Sequence, residues 1–213
     1  MSFSSVHRFP AYSLCKRCFD LFFSSILILL LSPLMVIVAI LVASYLGPPV
    51  LFSQMRPGYK AKVFALYKFR TMTNQRDARG VLLPDEKRLT PFGRWLRASS
   101  IDELPGLLNI LRGEMSFIGP RPLLPQYIPL YSPEQARRHD VMPGFSGLAQ
   151  INGRNEISWE EKFRLDVWYV DHQSFWLDLN IFLLTIWKVI RREGITAAGE
   201  ATISPFNGTV VSK

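Results

Sequence analysis

Residues 21–46 read LFFSSILILLLSPLMVIVAILVASYL, a stretch without a single charged side chain. A straight helix of this length would measure about 39 Å, whereas the hydrocarbon core of a bilayer is about 30 Å thick. A secretory signal peptide fits less well, because its apolar region is usually about 7 to 15 residues long. The stretch therefore predicts a membrane helix. It divides the chain into an N-terminal membrane segment, residues 1–47, and a second domain, residues 48–213.

The membrane helix should be bent near its middle, where Ser32 and Pro33 stand side by side. Proline removes a hydrogen bond and clashes with the preceding turn, so the pair predicts a sharp kink. Basic residues flank the apolar stretch on both sides: Arg8, Lys16 and Arg17 before it, and Arg56, Lys60, Lys62, Lys68 and Arg70 after it. Both flanks satisfy the positive-inside rule only if the chain enters and leaves by the cytoplasmic face. We therefore expect a re-entrant, monotopic helix-break-helix hinged at Ser32-Pro33, with a kinked single span as the alternative.

Beyond Gly47 the pattern changes to short alternating runs that are typical of strands. Residues 50–54 and 63–72 flank the turn-rich sequence RPGYKAK and predict a β-hairpin. Lys68 and Arg70 lie two positions apart on the second strand, so their side chains should share a face. Two neighbouring cations repel each other unless an anion joins them, which makes this face a candidate anion site.

The remainder of the second domain predicts mainly helices. One helix should begin near Asp102 and end at Gly113, and capping-box sequences at Ser132 and Ser158 should start two more. Residues 175–192 are apolar with polar interruptions, which favours an amphipathic helix lying on the bilayer surface; a buried core helix is the alternative. The predicted fold class is therefore α+β: a re-entrant membrane helix, then a mainly helical domain with a short β-hairpin and interfacial helices.

The net charge of +8 lies almost entirely between Arg56 and Arg121. Such a local excess of cations attracts nucleic acid, acidic lipid headgroups or a phosphorylated small molecule, although a solvated basic surface gives the same pattern. The sequence has no helix-turn-helix, zinc-finger or RNA-binding signature, and none of the motifs of nucleotide-binding folds, protein kinases or serine hydrolases. Cys15 and Cys18 predict ordinary thiols in a reducing compartment, because two cysteines cannot build a disulfide framework.

The acidic pair Asp102-Glu103 stands at a predicted helix start within this basic stretch. Acidic residues commonly cap helices, but here several arginines lie nearby in the sequence. An ionised carboxylate in that setting can bind magnesium, act as a general base or attack phosphorus as a nucleophile. Asp166, at the edge of an apolar helix stripe, needs a partner of its own. The residues alone thus indicate a membrane protein that handles a phosphorylated substrate.

Several motifs then make a family resemblance visible: KFRTM at 68–72, RLT at 88–90, SIDELP at 100–105, GEMSFIGPRP at 113–122, PG at 143–144, GLAQ at 147–150 and NGR at 152–154. Together they strongly resemble the bacterial sugar transferase family, the monotopic phosphoglycosyl transferases, from about residue 14 to residue 205. The chain looks like the small, single-domain class of that family. Gly106 and Ser146 stand where the family usually has glutamine and threonine, and neither departure touches the acidic pair.

The resemblance implies a two-step reaction on the cytoplasmic face of the bacterial inner membrane. Asp102 would attack the β-phosphorus of a UDP-sugar, form a phosphosugar-aspartyl intermediate and release UMP, with Glu103 as acid/base or metal-assisting partner. Undecaprenyl phosphate would then accept the sugar phosphate. Mg²⁺ is the implied cofactor, with Asp102 and Glu103 as its ligands. The tail, residues 194–206, is similar to members that use N-acetylated, bacillosamine-like UDP-sugars.

The motifs and the basic stretch also nominate residues that bind the substrates: Lys68, Arg70, Arg88, Pro120, Arg121, Pro122, Arg154 and Asp166. The expected partners are a UDP-sugar donor, undecaprenyl phosphate and membrane lipids, without nucleic acid; homo-oligomerisation stays open.

One alternative is direct displacement in a ternary complex, with Asp102 only a magnesium ligand. Another is a non-catalytic scaffold that binds anionic lipid, which would leave the acidic pair and the stiff 118–122 turn without a purpose.

Overall fold

The structure, a computed structural model, describes residues 10–153, 157–191 and 205–208. Its first element is helix α1, Pro10–Leu46. Within the described ranges this is the one helix long and apolar enough to cross a membrane, and its most apolar window has a mean hydropathy of 3.1. The prediction of a long N-terminal membrane helix is therefore met in length and composition.

Helix α1 continues through Pro33, so the two predicted half-helices form one continuous helical element rather than two separate ones. Pro33 has no N–H, and the carbonyl that this leaves without its usual helical partner is that of Leu29, four residues earlier. The Ser32 hydroxyl donates a hydrogen bond to this carbonyl at 2.8 Å. The serine thus replaces the hydrogen bond that the proline removes, which explains why the helix does not end there.

Both ends of α1 are bound to the same globular body. Near the N-terminal end, the Arg17 guanidinium donates to the Ile110 carbonyl at 2.6 Å. Near the C-terminal end, the Arg70 guanidinium donates to the Pro48 carbonyl at 2.9 Å and also to the Leu46 carbonyl. A single body therefore holds the chain where it enters α1 and where it leaves it.

One face of α1 is apolar and exposed, whereas the other packs on the body. Val38 and Val42 are buried against Phe69 and Leu96. The outward face carries large apolar side chains: Leu14, Phe22, Leu29, Leu30, Val36, Ile37, Ile40 and Tyr45. An exposed apolar surface of this extent is typical of a membrane contact.

The predicted hairpin is present. Strand β1, Leu51–Pro57, pairs antiparallel with strand β2, Val63–Phe69. A second pair, β3 (Ser116–Ile118) and β4 (Gly144–Ser146), is parallel. The sequence did not predict β3 and β4, because strands of this length are too short to show an alternating pattern.

Helices and 3₁₀ turns make up most of the remaining described chain. The helices after α1 are α2 (Asp85–Arg88), α3 (Pro91–Ala98), α4 (Leu107–Arg112), α5 (Pro133–Ala136), α6 (Leu148–Ile151), α7 (Trp159–His172) and α8 (Phe175–Arg191). The 3₁₀ turns are Tyr59–Ala61, Ile101–Gly106, Pro125–Leu130 and Arg137–Asp140. Ser132 and Ser158 cap α5 and α7 with their side chains, as their capping-box sequences predicted.

Helix α8 corresponds to the predicted interfacial helix, whose last residue, 192, lies outside the described residues. Its Ile181 is fully buried in the main core, which α4, β3 and α7 also line. Phe175, Trp176 and Trp187 are exposed on the same helix. This division into a buried side and an exposed aromatic side favours the interfacial interpretation over a core helix.

Asn109 on α4 joins that helix to the hairpin. Its side chain is fully buried, accepts from the Tyr67 N–H at 3.1 Å and donates to the Ala65 carbonyl at 2.7 Å. It also donates to the Glu114 carboxylate at 2.7 Å. The amide thereby satisfies backbone groups of β2 that a neighbouring strand would otherwise pair. It holds α4, and with it the turn directly before α4, against β2.

We expect Asn109→Ala to lower the free energy of unfolding by about 2–3 kcal/mol, because it leaves the Tyr67 N–H and the Ala65 carbonyl buried without partners. Thermal and denaturant unfolding of the purified protein measure this. Asn74→Ala, at an exposed position, is the control and should leave the unfolding midpoint nearly unchanged. Equal midpoints for Asn109→Ala and the parent protein would contradict the role assigned to the amide.

Candidate active site at an acidic pair

The acidic pair lies in the 3₁₀ turn Ile101–Gly106, directly before α4. The Glu103 N–H donates to the Ser100 carbonyl at 3.2 Å, a bond between residues three apart that is typical of a 3₁₀ turn. The helix predicted from Asp102 to Gly113 is therefore a 3₁₀ turn followed by a short α-helix. Gly113 ends it with a φ of 82°, as the sequence predicted.

Glu103 receives two cations from other parts of the fold. Its Oε1 accepts from Lys68 Nζ at 2.6 Å and from Arg121 Nη2 at 2.7 Å. Burial alone would raise the pKa of this carboxyl, but Arg121 and Lys68 together outweigh burial and hold the pKa well below its usual range. A carboxyl with a pKa lowered in this way favours the ionised form at neutral pH.

Asp102 has the opposite shift. Its side chain is almost completely buried, and burial, followed by the negative charge of Glu103, raises its pKa to about 6. Lys68, Arg97 and Arg121 act in the other direction without cancelling the rise. Two adjacent carboxyls whose pKa values are driven apart are typical of sites where acidic groups take different chemical roles.

The raised pKa of Asp102 predicts a stability that depends on pH. Folding favours the protonated acid, so the cost of the buried carboxylate develops as pH rises from about 4 through about 6 and is complete above that. In magnesium-free buffer, Asp102→Asn should raise the free energy of unfolding by about 3 kcal/mol near pH 7.5 and by about half as much near pH 5. Denaturant unfolding at the two pH values measures the difference.

Asp140→Asn is the matched control for that experiment, because Asp140 is an exposed carboxylate paired with Lys60. A gain of equal size in this variant would trace the effect to net charge and contradict the assignment to Asp102. A gain in Asp102→Asn that does not shrink at lower pH would contradict it as well.

Glu103 lines a solvent-open cleft whose volume, open solvent included, is about 360 Å³. The charged side chains in its wall are the cations Arg56, Lys68 and Arg121 and the carboxylate of Glu103. Pro122 also lines it. Since the cations outnumber the carboxylate, the cleft has an excess of positive charge and suits an anionic ligand.

Two glycines allow the turn with Arg121 to lie against β4. A Cβ added to Gly119 would come within 2.3 Å of the Met142 carbonyl oxygen, and one added to Gly144 within 2.1 Å of the Gly119 nitrogen. In addition, the Gly144 N–H donates to the Pro120 carbonyl at 3.0 Å. This close backbone packing sets the position from which Arg121 reaches Glu103.

Asp166 lies behind the same turn rather than in the cleft wall. It is buried and accepts from Arg138 Nη2 at 2.7 Å, and the same nitrogen donates to the Arg121 carbonyl at 2.7 Å. The partner that the sequence required for Asp166 is therefore Arg138, which the sequence did not identify. Through Arg138, Asp166 is linked to the Arg121 backbone, and its expected contact with a substrate stays a prediction.

Two other predicted anion-binding residues are occupied elsewhere. Arg70 follows β2 and is bound to the C-terminal end of α1, so it does not join Lys68 at one anion site. Arg88 donates to the Thr73 carbonyl at 2.9 Å and to Asp85 at 3.2 Å. Arg154 lies outside the described residues. Of the nominated set, Lys68, Glu103, Arg121 and Pro122 line one cleft. Asp102 is buried beside it, where the charges of Glu103, Lys68 and Arg121 act on its carboxyl.

The described residues contain no group of three or more histidine, cysteine, aspartate or glutamate side chains that could hold a metal ion. The donor set at the site is the carboxylate pair of Asp102 and Glu103. That pair fits Mg²⁺, which proteins usually hold through one or two carboxylates while substrate phosphates and water complete its shell. Both cations on Glu103 bind its Oε1.

Comparison with known proteins agrees with the motifs. Residues 11–192 match the bacterial sugar transferase family. The chain is 55% identical over 194 residues to "Uncharacterized sugar transferase EpsL" of Bacillus subtilis, covering 91% of this chain and 96% of that protein. It is 42% identical to "Undecaprenyl-phosphate glucose phosphotransferase" of Komagataeibacter xylinus, covering 82% of this chain but 36% of that longer protein.

A third relative has a similar name. The chain is 39% identical to "UDP-glucose:undecaprenyl-phosphate glucose-1-phosphate transferase" of Caulobacter vibrioides, covering 83% of this chain and 70% of the relative. The match extends over the acidic pair, the hairpin with Lys68 and the turn with Arg121. By these matches and by its own motifs, the chain belongs to the bacterial sugar transferase family.

Proposed function

We propose that the protein transfers a sugar 1-phosphate from a UDP-sugar to undecaprenyl phosphate and releases UMP. The observation that carries the proposal is the acidic pair: Asp102 and Glu103 have opposite pKa shifts beside the cations Lys68 and Arg121. The names of the relatives from Komagataeibacter xylinus and Caulobacter vibrioides support this substrate class. The apolar face of α1 agrees with an acceptor that resides in a membrane.

In the first step, a carboxylate oxygen of Asp102 forms a bond to the β-phosphorus of the donor. The bond from that phosphorus to the bridging oxygen breaks, and its electron pair leaves with UMP. The sugar phosphate is now joined to Asp102 as an acyl phosphate, which burial of this side chain protects from water. Lys68 and Arg121 stabilise the negative charge on the phosphoryl oxygens.

In the second step, a phosphate oxygen of undecaprenyl phosphate attacks the same phosphorus. The bond to Asp102 breaks, the carboxylate is restored and the product is an undecaprenyl diphosphate sugar. Because Glu103 stays ionised, we assign it to holding the two cations and assisting the metal rather than to donating a proton. When bound at the carboxylate pair, Mg²⁺ would neutralise charge on the diphosphate.

Incubation of the protein with a radiolabelled UDP-sugar, Mg²⁺ and no lipid tests this route against direct displacement. Covalent transfer predicts one equivalent of UMP and a labelled protein, and subsequent addition of undecaprenyl phosphate should remove the label. Steady turnover with lipid but no labelled protein and no UMP burst would favour the ternary-complex mechanism. An absence of UMP release from every UDP-sugar, with retained binding to anionic vesicles, would favour the non-catalytic scaffold.

The donor sugar is a separate part of the proposal. The tail at residues 194–206 favours an N-acetylated amino sugar of the bacillosamine type, whereas two of the three relatives cited above are named for glucose. UMP release compared across UDP-glucose, UDP-galactose, UDP-N-acetylglucosamine and a UDP-bacillosamine derivative decides between them. A clear preference for a simple hexose would contradict the amino-sugar assignment.

We further propose that α1 is re-entrant, so that both of its ends lie on the cytoplasmic side of the inner membrane. Arg17 at one end and Arg70 at the other bind the same globular body, and a straight membrane span would separate those ends by the thickness of the bilayer. This topology would keep the cleft at the depth of lipid phosphates.

The two native cysteines allow a direct test, since Cys15 and Cys18 are both exposed near the start of α1. A membrane-impermeant maleimide should label them in inverted membrane vesicles and leave them unlabelled in intact spheroplasts. Asn207→Cys in a protein whose native cysteines are replaced by serine provides the reference for the side of the globular domain. Labelling of Cys15 and Cys18 from outside, with Asn207→Cys protected, would establish a single span instead.

A further inference from the structure

Arg56 is a cation of the cleft that the proposed mechanism does not use. It lies on β1, and its Nη1 donates to the Pro122 carbonyl at 3.3 Å while its Nη2 donates to Gln54 at 2.6 Å. Its Nε is buried and has no hydrogen-bond partner among the described residues. The sequence predicted a turn at this position, but β1 extends to Pro57 and therefore includes Arg56. The Arg56 side chain lines the cleft.

The surroundings of Arg56 lack a counter-ion of its own. Glu103 Oε1 is shared by Lys68 and Arg121, and no ion pair of Arg56 is present in the described part of the chain. Burial, and then the nearby charge of Arg121, lower the pKa of Arg56 to about 10. Two guanidinium groups in one cleft with a single shared carboxylate are unfavourable without an anion between them, and a bound anion relieves that cost.

The hairpin register shows where Arg56 lies relative to Lys68. Lys68 pairs with Phe52, and Arg56 pairs with Phe64, so Arg56 lies four positions further along β1. Four residues of strand measure about 13 Å. Lys68, at the other end of this distance, lies two positions before Arg70, which binds the C-terminal end of α1. Along the hairpin, Arg56 therefore lies further than Lys68 from the C-terminal end of α1.

We propose that Arg56 binds the α-phosphate of the nucleotide donor, the phosphate that leaves as UMP. This inference rests on the proposed transfer reaction. In the proposed transfer the reacting β-phosphate lies beside Asp102, Lys68 and Arg121, and Arg56 is the remaining cation in the wall of the same cleft. Arg56 has no ion-pair partner among the described residues and lies next to the turn that holds Arg121. A guanidinium matches a phosphate oxygen in both charge and geometry.

UMP binding to the purified Arg56→Gln protein tests the proposal without requiring turnover. Isothermal titration should show UMP affinity reduced by about tenfold or more relative to the parent protein, the effect expected for one lost charge-assisted hydrogen bond. Uridine, which has no phosphate, should bind both proteins equally. Arg56→Lys should recover part of the UMP affinity. Arg76→Gln, at an exposed loop arginine, is the matched control and should bind UMP like the parent.

Steady-state kinetics separate the donor from the acceptor. Arg56→Gln should raise KM for the UDP-sugar about tenfold and leave KM for undecaprenyl phosphate unchanged. A raised KM for undecaprenyl phosphate alone, or an unchanged affinity for UMP, would overturn the assignment. An equal loss of uridine binding would identify general damage to the site and would also overturn it.

Stability distinguishes a ligand-binding arginine from a structural one. Removal of an unpaired buried cation should keep or raise the thermal midpoint of the ligand-free protein, so a strong decrease in Arg56→Gln and Arg56→Lys would show a structural role instead. If the parent protein releases no UMP from any UDP-sugar, the proposed function fails, while the UMP-binding comparison still decides the role of Arg56.

Discussion

Asp102→Asn should reduce UMP release and product formation by at least about 10³-fold, since an amide cannot form the acyl phosphate on which both displacements of the proposed route depend. The loss should appear equally with and without undecaprenyl phosphate, and no radiolabel should remain on the protein. UMP binding should be retained, because Arg56, Lys68 and Arg121 are unchanged. Radiometric product assays and gel-based detection of labelled protein give the two readouts.

A comparison of stability separates this loss from unfolding. The variant should be more stable than the parent near neutral pH, so inactivity together with a raised unfolding midpoint identifies a chemical role for Asp102. Asp140→Asn, on the exposed pair with Lys60, should remain active. Labelling that survives in Asp102→Asn would show that another residue is the nucleophile.

Arg138→Leu should be the most destabilising of the substitutions considered, with a loss of about 3–5 kcal/mol in the free energy of unfolding. It leaves the carboxylate of Asp166 buried without its ion-pair partner, and Lys162 is the remaining cation that acts on it. It also removes the hydrogen bond to the Arg121 carbonyl. Activity measured on the folded fraction should therefore fall as well, with a higher KM for the donor.

The double variant Arg138→Leu, Asp166→Leu tests the cause of that loss. Removal of both charges should restore most of the stability, because the penalty belongs to the unpaired carboxylate rather than to the missing contact. Arg164→Leu is the control on α7, the helix of Asp166, because Arg164 forms an exposed pair with Glu161. The unfolding midpoint of this variant should be nearly unchanged. A double variant as unstable as Arg138→Leu alone would contradict the explanation.

The sequence predicted the elements whose signals are local. The apolar composition of α1, the alternation in β1 and β2, and the capping serines of α5 and α7 each lie within one short stretch. The acidic pair was identifiable for the same reason, because two neighbouring carboxyls at a helix start are visible without knowledge of the fold.

The partners of these elements were not predictable, because they are far apart in the chain. Arg138 and Asp166 are separated by 28 positions, and nothing in either neighbourhood identifies the other. In the sequence alone, Asn109 is an ordinary helix residue, because its hydrogen-bond partners on β2 are visible only in the folded structure. Arg70 had the right spacing to join Lys68, but β2 ends at Phe69, and the following residue turns to the end of α1.

The attachment of α1 at both ends has a kinetic consequence. A helix joined to its domain at one end only would let the domain swing above the bilayer, whereas contacts through Arg17 and Arg70 remove that freedom. With the cleft held at one height and in one orientation, a lipid-linked acceptor finds it by lateral diffusion, a search in two dimensions. The nucleotide donor arrives by diffusion in three dimensions from the aqueous phase. In the proposed two-step route, the rate of the second displacement should therefore follow the surface density of acceptor in the membrane rather than its bulk concentration.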